Sequence, residues 1–211
     1  MAEIAVIGAG YVGLTLAVGA AHLGHNVSVG EPDEERVCAL LAGNCPVFEE
    51  GIADLLEEGL TARRLTFMTS NIEAIESAEF VFLALPTPSA PDGSADLTVL
   101  HTVIDELAPH LGDRVLVLKS TVPVGTNRDV TARLRTAGCP APVVSNPEFL
   151  REGTALTDFL QPDHIVVGGD DAEAVTRVAE LFDLGCPVTM TDPMSAELVK
   201  YATNAYLATR V

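Results

Sequence analysis

The chain has 211 residues, 48% of them hydrophobic and 20% charged, which is enough for one large α/β domain and the wrong mix for a disordered one. Its formal net charge of -18 repels nucleic acid and anionic membranes, and no apolar run reaches the ~20 residues that a membrane helix needs. The four cysteines, Cys38, Cys45, Cys139 and Cys186, form no CxxC pair, and no histidine stands at zinc-ligand spacing; they read as reduced thiols with no metal. No secretory pattern opens the chain, which points to the cytoplasm.

Residues 4–7 form a short apolar run that ends at Gly8, and residues 11–23 have the length and small side chains of a buried helix stopped by Gly24. A strand follows at 26–29, then helices at 33–41 and 51–58. Further strand-like runs lie at 65–68, 80–85, 115–118, 142–144, 165–167 and 188–190. The helices between them are clearest at 97–107, 127–136 and 172–182. Apolar runs this short, without alternation, suit strands buried on both faces of a parallel sheet. The predicted fold is therefore α/β: a doubly wound, mainly parallel Rossmann-type sheet with helices on both faces. Residues 193–211 read as one helix, with Asp192 as N-cap and Pro193 in the first turn. Its apolar pattern, Met194, Leu198, Tyr201, Ala205 and Ala208, meets no stop signal, so the natural protein is expected to continue.

Gly8-Ala9-Gly10-Tyr11-Val12-Gly13 follows a strand and opens a helix. The first glycine allows a tight turn, the second a close approach to a pyrophosphate, and the third close packing of helix on strand. The phosphates would sit on the free N–H groups at the helix start, the local device by which so acidic a chain can hold an anion. Glu31 closes the second strand, 18 residues after Gly13, where a carboxylate accepts hydrogen bonds from a ribose diol and repels a 2′-phosphate. This favours NAD over NADP. Arg36, one helical turn on, could reach the ribose or phosphate region.

Three more segments begin where strands end, at the ligand edge of an open α/β sheet. They are Leu85-Pro86-Thr87-Pro88 with Asp92-Gly93-Ser94-Ala95-Asp96-Leu97; Lys119-Ser120-Thr121-Val122-Pro123-Val124-Gly125-Thr126; and Asn146-Pro147-Glu148-Phe149-Leu150-Arg151-Glu152-Gly153-Thr154-Ala155. Together with the glycine turn, Pro46-Val47-Phe48-Glu49-Glu50-Gly51-Ile52, the 162–168 run and the 195–211 run, they carry a resemblance. In this order and over essentially the whole chain, the sequence resembles the N-terminal, NAD-binding domain of the UDP-glucose/GDP-mannose dehydrogenase family.

The resemblance implies an oxidoreductase that takes a sugar C6 alcohol to the carboxylate in two hydride transfers, consuming two NAD, through an aldehyde held on a cysteine. It implies a nucleotide-sugar substrate, UDP-glucose first, and a homodimer of the full-length protein. It divides the chain into a NAD-binding domain at 1–192 and the start of a linking, dimer-forming helix at 193–211. Residue by residue, it gives Lys200 the developing oxyanion, with Asn204 one turn along the same helix face to assist. Glu148 is the general acid/base, and Thr121 holds a water or the nicotinamide end. Gly8, Gly10, Tyr11, Val12, Gly13, Glu31, Arg36, Pro86, Thr87, Ser120, Thr121 and Glu152 contact the cofactor. Glu148, Phe149, Leu150 and Arg151 line the sugar site with Lys200 and Asn204.

The family's cysteine nucleophile sits in a Gly-Gly-Ser-Cys-Phe-Pro-type segment, and none of the four cysteines here has such a setting. The 211 residues alone are therefore expected to bind NAD and not to turn over. GDP-mannose or a UDP-N-acetylhexosamine stays open as substrate, and a non-catalytic nucleotide-binding module stays open as a class. A 3-hydroxyacid dehydrogenase shares the Rossmann domain and the Lys-x-x-x-Asn helix, but the segments beginning at Lys119 and Asn146 argue against it.

Overall fold

The computed structural model describes residues 1–182 and 184–210. In chain order the elements are β1 (Glu3–Ile7), α1 (Tyr11–His22), β2 (Asn26–Gly30), α2 (Glu34–Leu41), α3 (Ile52–Thr61), β3 (Leu65–Met68), α4 (Asn71–Ile75), β4 (Phe80–Leu83), α5 (Thr98–Leu111), β5 (Val115–Leu118), α6 (Thr126–Thr136), β6 (Val143–Ser145), α7 (Ala155–Leu160), β7 (Ile165–Gly169), α8 (Ala172–Leu181), β8 (Val188–Thr191) and α9 (Pro193–Ala208). They gather into two compact units, Met1–Leu85 with Leu150–Asp163 and Pro86–Phe149 with His164–Val211. Val211, the last residue of the predicted terminal helix, lies outside the described residues.

In the first unit, four parallel strands lie in the order β3-β2-β1-β4. Ile4, Val6, Val29, Phe82 and Leu83 are sealed from solvent, as expected of a parallel sheet covered on its faces. α1 is buried without a break over residues 13–21, so it cannot be amphipathic; its glycines and alanines let neighbours come close on every side. A Cβ on Gly19 would stand 2.3 Å from the Phe159 ring of α7, and one on Gly13 only 1.9 Å from the Gly8 carbonyl oxygen.

In the second unit the order is β5-β6-β7-β8. β5–β6 and β7–β8 pair in parallel, whereas β6–β7 is antiparallel, with Ser145 opposite Gly168. α9 packs on β7 at Gly168, where a Cβ would stand 2.5 Å from Ala196 Cβ. α6 begins at Gly125, whose φ of +102° suits glycine, and it has no cap of its own. Glu197 of α9 supplies one: its carboxylate accepts from the N–H of Gly125 at 2.6 Å and of Asn127 at 2.7 Å. Burial pushes the Glu197 carboxyl up, and these two amides oppose the shift.

Three features differ from the sequence expectation. α4 and α7, of five and six residues, are too short for helical periodicity to register. α5 runs past Pro109 to Leu111, because a proline near a helix end interrupts little and Arg114 donates to the last carbonyls, of His110 at 3.0 Å and Leu111 at 3.1 Å. β8 is not buried on both faces: it is the last strand in the order, with Val188 38% and Met190 57% exposed. Asp192, by contrast, caps α9 as predicted, accepting from the Ser195 N–H at 3.0 Å.

The Gly13 contact is backbone against Cβ and cannot be relieved by a rotamer. Gly13→Ala should therefore destabilise the chain by about 3 kcal/mol. Gly10→Ala, with nothing within 4 Å of the added carbon, should cost under about 1 kcal/mol in urea denaturation.

Candidate functional site: a dinucleotide turn and a buried lysine–glutamate pair

β1 ends in a turn built on Gly8, whose φ is +101° and whose absent Cβ would meet the Ala84 carbonyl oxygen at 2.6 Å. The turn delivers the chain to Gly10, the N-cap of α1, which has no side-chain cap and no acidic residue in the first turn. The first-turn amides of α1 therefore face no side-chain cap, and the open space at Gly10 gives a phosphate room to approach. These residues fit the pyrophosphate of a dinucleotide.

Glu31 is only 6% exposed and does more than await a ribose. Its Oε2 accepts from the Ala9 N–H at 3.0 Å and its Oε1 from the Asp33 N–H at 3.1 Å, so it holds the glycine turn in shape. Arg36 lies 3.4 Å from the same carboxylate and is half spent neutralising it. Tyr11, the first residue of α1, donates its hydroxyl to Glu49. Burial first, then that bond and the charge of Glu49, push the hydroxyl far above its ordinary range. Val12 is half-buried beside it, and Glu152 is exposed.

The second unit carries a different group. Lys200, on the buried side of α9, meets Glu148 Oε1 at 2.8 Å, with side chains 8% and 12% exposed. The ammonium also stands 5.6 Å over the Phe149 ring, which packs against His164 at 4.7 Å between centroids, tilted by 38°. Lys119, at the end of β5, is buried and donates to Asn146 Oδ1 at 3.0 Å; Asn146 Nδ2 donates to the Val166 carbonyl at 2.8 Å. Burial lowers the Lys119 ammonium to about 8, with the Glu148 charge opposing and the Lys200 charge adding to the shift. Ser120, Thr121, Pro147 and Lys200 share one small cleft. The Thr121 carbonyl is tied to the Thr87 hydroxyl at 2.8 Å, while Pro86 is exposed.

The structure thus brings Glu148, Phe149, Lys200 and Thr121 to the same end of the second unit, and Gly8, Gly10, Tyr11, Gly13, Glu31 and Arg36 together in the first. Asn204 is exposed, one turn beyond Lys200 on α9. Arg151 is turned to Asp158, at 2.5 Å, with its side chain 70% exposed. Lys119, Asn146, Glu49 and Glu197 had no predicted role, although the first two stand inside segments already singled out at strand ends. Their burial and partners are what make them matter, and no local pattern encodes those.

A parallel sheet whose first strand enters a glycine turn and an uncapped helix start, with a carboxylate closing the second strand, defines a Rossmann-type dinucleotide-binding domain. Residues 2–184 match the UDP-glucose/GDP-mannose dehydrogenase family, NAD binding domain, and the chain belongs to that family. It is 39% identical to a UDP-glucose 6-dehydrogenase of Rickettsia felis, over 99% of this chain and 48% of the relative. A UDP-glucose dehydrogenase structure from Pyrobaculum islandicum superposes with a TM-score of 0.94 at 40% identity, over 99% of this chain and 50% of that one. A ternary complex of GDP-mannose dehydrogenase from Pseudomonas aeruginosa also reaches 0.94, at 29% identity and the same coverages. The chain therefore spans about half the length of these relatives.

The Lys119 environment has a pH signature. Below pH 8 both folded and unfolded chains hold this proton, and the cost of burying the charge is fully felt. Between about 8 and the ordinary 10.5, the folded chain has released the proton and the unfolded chain has not, so stability from this group rises with pH. Urea denaturation at pH 7.5 and 10 should show Lys119→Met lacking that rise, which amounts to about 3 kcal/mol at most.

Proposed function

We propose that this domain serves an enzyme that oxidises the C6 alcohol of UDP-glucose to the carboxylate of UDP-glucuronate in two NAD-dependent steps. The observation that carries the reading is the buried ion pair of Glu148 and Lys200 in a domain of this family. When bound, NAD would supply the hydride acceptor. Glu148 takes the proton of the alcohol, directly or through a water held by Thr121. Lys200 holds the negative charge that grows on the substrate oxygen, and it is well placed to do so because its ammonium is already fixed and desolvated. Asn204 adds a second donor from the next turn of α9. Gly8, Gly10, Tyr11, Val12, Gly13, Glu31 and Arg36 bind the adenosine and pyrophosphate side; Pro86, Thr87, Ser120, Thr121 and Glu152 complete the cofactor contacts. The backbone of Glu148, Phe149, Leu150 and Arg151 lines the sugar.

UDP-glucose is favoured over GDP-mannose because the chain is 40% identical to the UDP-glucose dehydrogenase and 29% to the GDP-mannose enzyme. The whole protein acts as a cytoplasmic homodimer, and Met194, Leu198 and Tyr201 on α9, which are 39%, 55% and 39% exposed, suit its interface. The 211 residues alone bind NAD without turnover, since none of their cysteines lies in the nucleophile's segment.

Calorimetric titration with NAD tests the cofactor half. The chain should bind one equivalent saturably and NADP about tenfold or more weakly, because Glu31 repels the added phosphate. Gly10→Val should leave the melting temperature nearly unchanged and abolish most of the binding; an unchanged affinity would sink the pyrophosphate assignment. For the whole protein, NAD reduction should be fastest with UDP-glucose, and a preference for GDP-mannose or a UDP-N-acetylhexosamine would overturn the substrate.

A further inference from the structure

Glu49 makes more long-range bonds than its place in a surface loop suggests. The loop before α3 is exposed at Phe48 and Glu50, yet the Glu49 side chain turns inward. Its Oε1 accepts the Tyr11 hydroxyl and the N–H of Gly153 at 2.5 Å, and its Oε2 accepts the N–H of Ala155 at 3.1 Å. These partners lie 38, 104 and 106 residues away in sequence. The Arg151 carbonyl stands 3.3 Å from the same Tyr11 hydroxyl. Ala155 opens α7, whose N-cap Thr154 makes no side-chain cap, so Glu49 replaces it. The three donors, Tyr11 first, hold the Glu49 carboxyl below the usual carboxylate range, in keeping with a fixed anion.

We propose that Glu49 is a positioning residue of the NAD site. It fixes the first residue of the cofactor helix and the turn around Glu152 as one piece. The inference rests on the NAD-binding reading above. It acts through Tyr11 and through the backbone of Gly153 and Ala155, not by touching the dinucleotide. A carboxylate serves here because it can accept three hydrogen bonds at once, one of them from a phenol, without having to donate any. An amide in its place offers one accepting oxygen and turns an N–H₂ towards a donor.

The test is calorimetric titration of NAD into the chain, Glu49→Gln, Tyr11→Phe and the double variant, each with its melting temperature. Glu49→Gln should weaken NAD binding about tenfold, the loss expected of one charge-assisted hydrogen bond. Tyr11→Phe, which removes one oxygen and leaves the packing, should weaken it by a smaller factor. The double variant should be no weaker than Glu49→Gln, because both changes cut the same link. If Glu49→Gln does not fold, Tyr11→Phe decides alone. Unchanged affinity in the folded variants, or losses that simply multiply, would overturn the proposal while leaving the cofactor assignment intact. Failure of the parent chain to bind NAD would overturn the cofactor reading and this inference with it.

Discussion

The fold depends on where its inward-facing carboxylates find hydrogen. The chain carries 30 acidic residues against 12 basic ones, and a buried carboxylate without donors would be neutralised or expelled. Backbone amides do most of this work. Glu31 takes those of Ala9 and Asp33, Glu197 those of Gly125 and Asn127, and Glu49 those of Gly153 and Ala155. In each case the amides belong to a turn or a helix start with a shortage of acceptors of its own. One side chain therefore meets two needs, its own charge and an orphaned backbone end, and it staples distant parts of the sequence in doing so.

Against that background the starts of α1, α3 and α5 have no side-chain bond from their N-cap residues. Asp33, Ser70, Asp171 and Asp192 cap α2, α4, α8 and α9 from their own chain positions, and α6 and α7 are capped from afar. α1 has no side-chain cap and no acidic residue in its first turn. Its neighbour Glu31 binds the preceding amide, of Ala9, and so shapes the turn without filling the position that an anion needs. In a chain of net charge -18, aligned backbone dipoles at the start of α1 offer a phosphate a local attraction against an overall field of the wrong sign.

The second unit solves the opposite problem. Two ammonium groups, Lys119 and Lys200, and two carboxylates, Glu148 and Glu197, gather at the strand ends of that unit. The Lys119 ammonium donates to the Asn146 oxygen, and burial loosens its proton. The Phe149 ring lies under the Lys200 ammonium, and His164 packs tilted against that ring.

The strands, the long helices and the glycine turn could be read directly from the sequence, because burial on both faces of a parallel sheet leaves short unbroken apolar runs and because the turn needs glycine at set places. The resemblance then supplied Glu148 and Lys200, and the fold places the two side chains together although 52 positions separate them. Local patterns could not reveal α4 and α7, too short to show a period, or the exposed β8, whose apolar run looks the same at an edge as at a centre. Nor could they show that Lys119 is buried or that Glu49 reaches Ala155. Element type and the ligand-binding turn follow from neighbours within a few residues. The charge state of Lys119, the pairing of Glu148 with Lys200 and the triple role of Glu49 follow from groups that only folding brings within hydrogen-bond range.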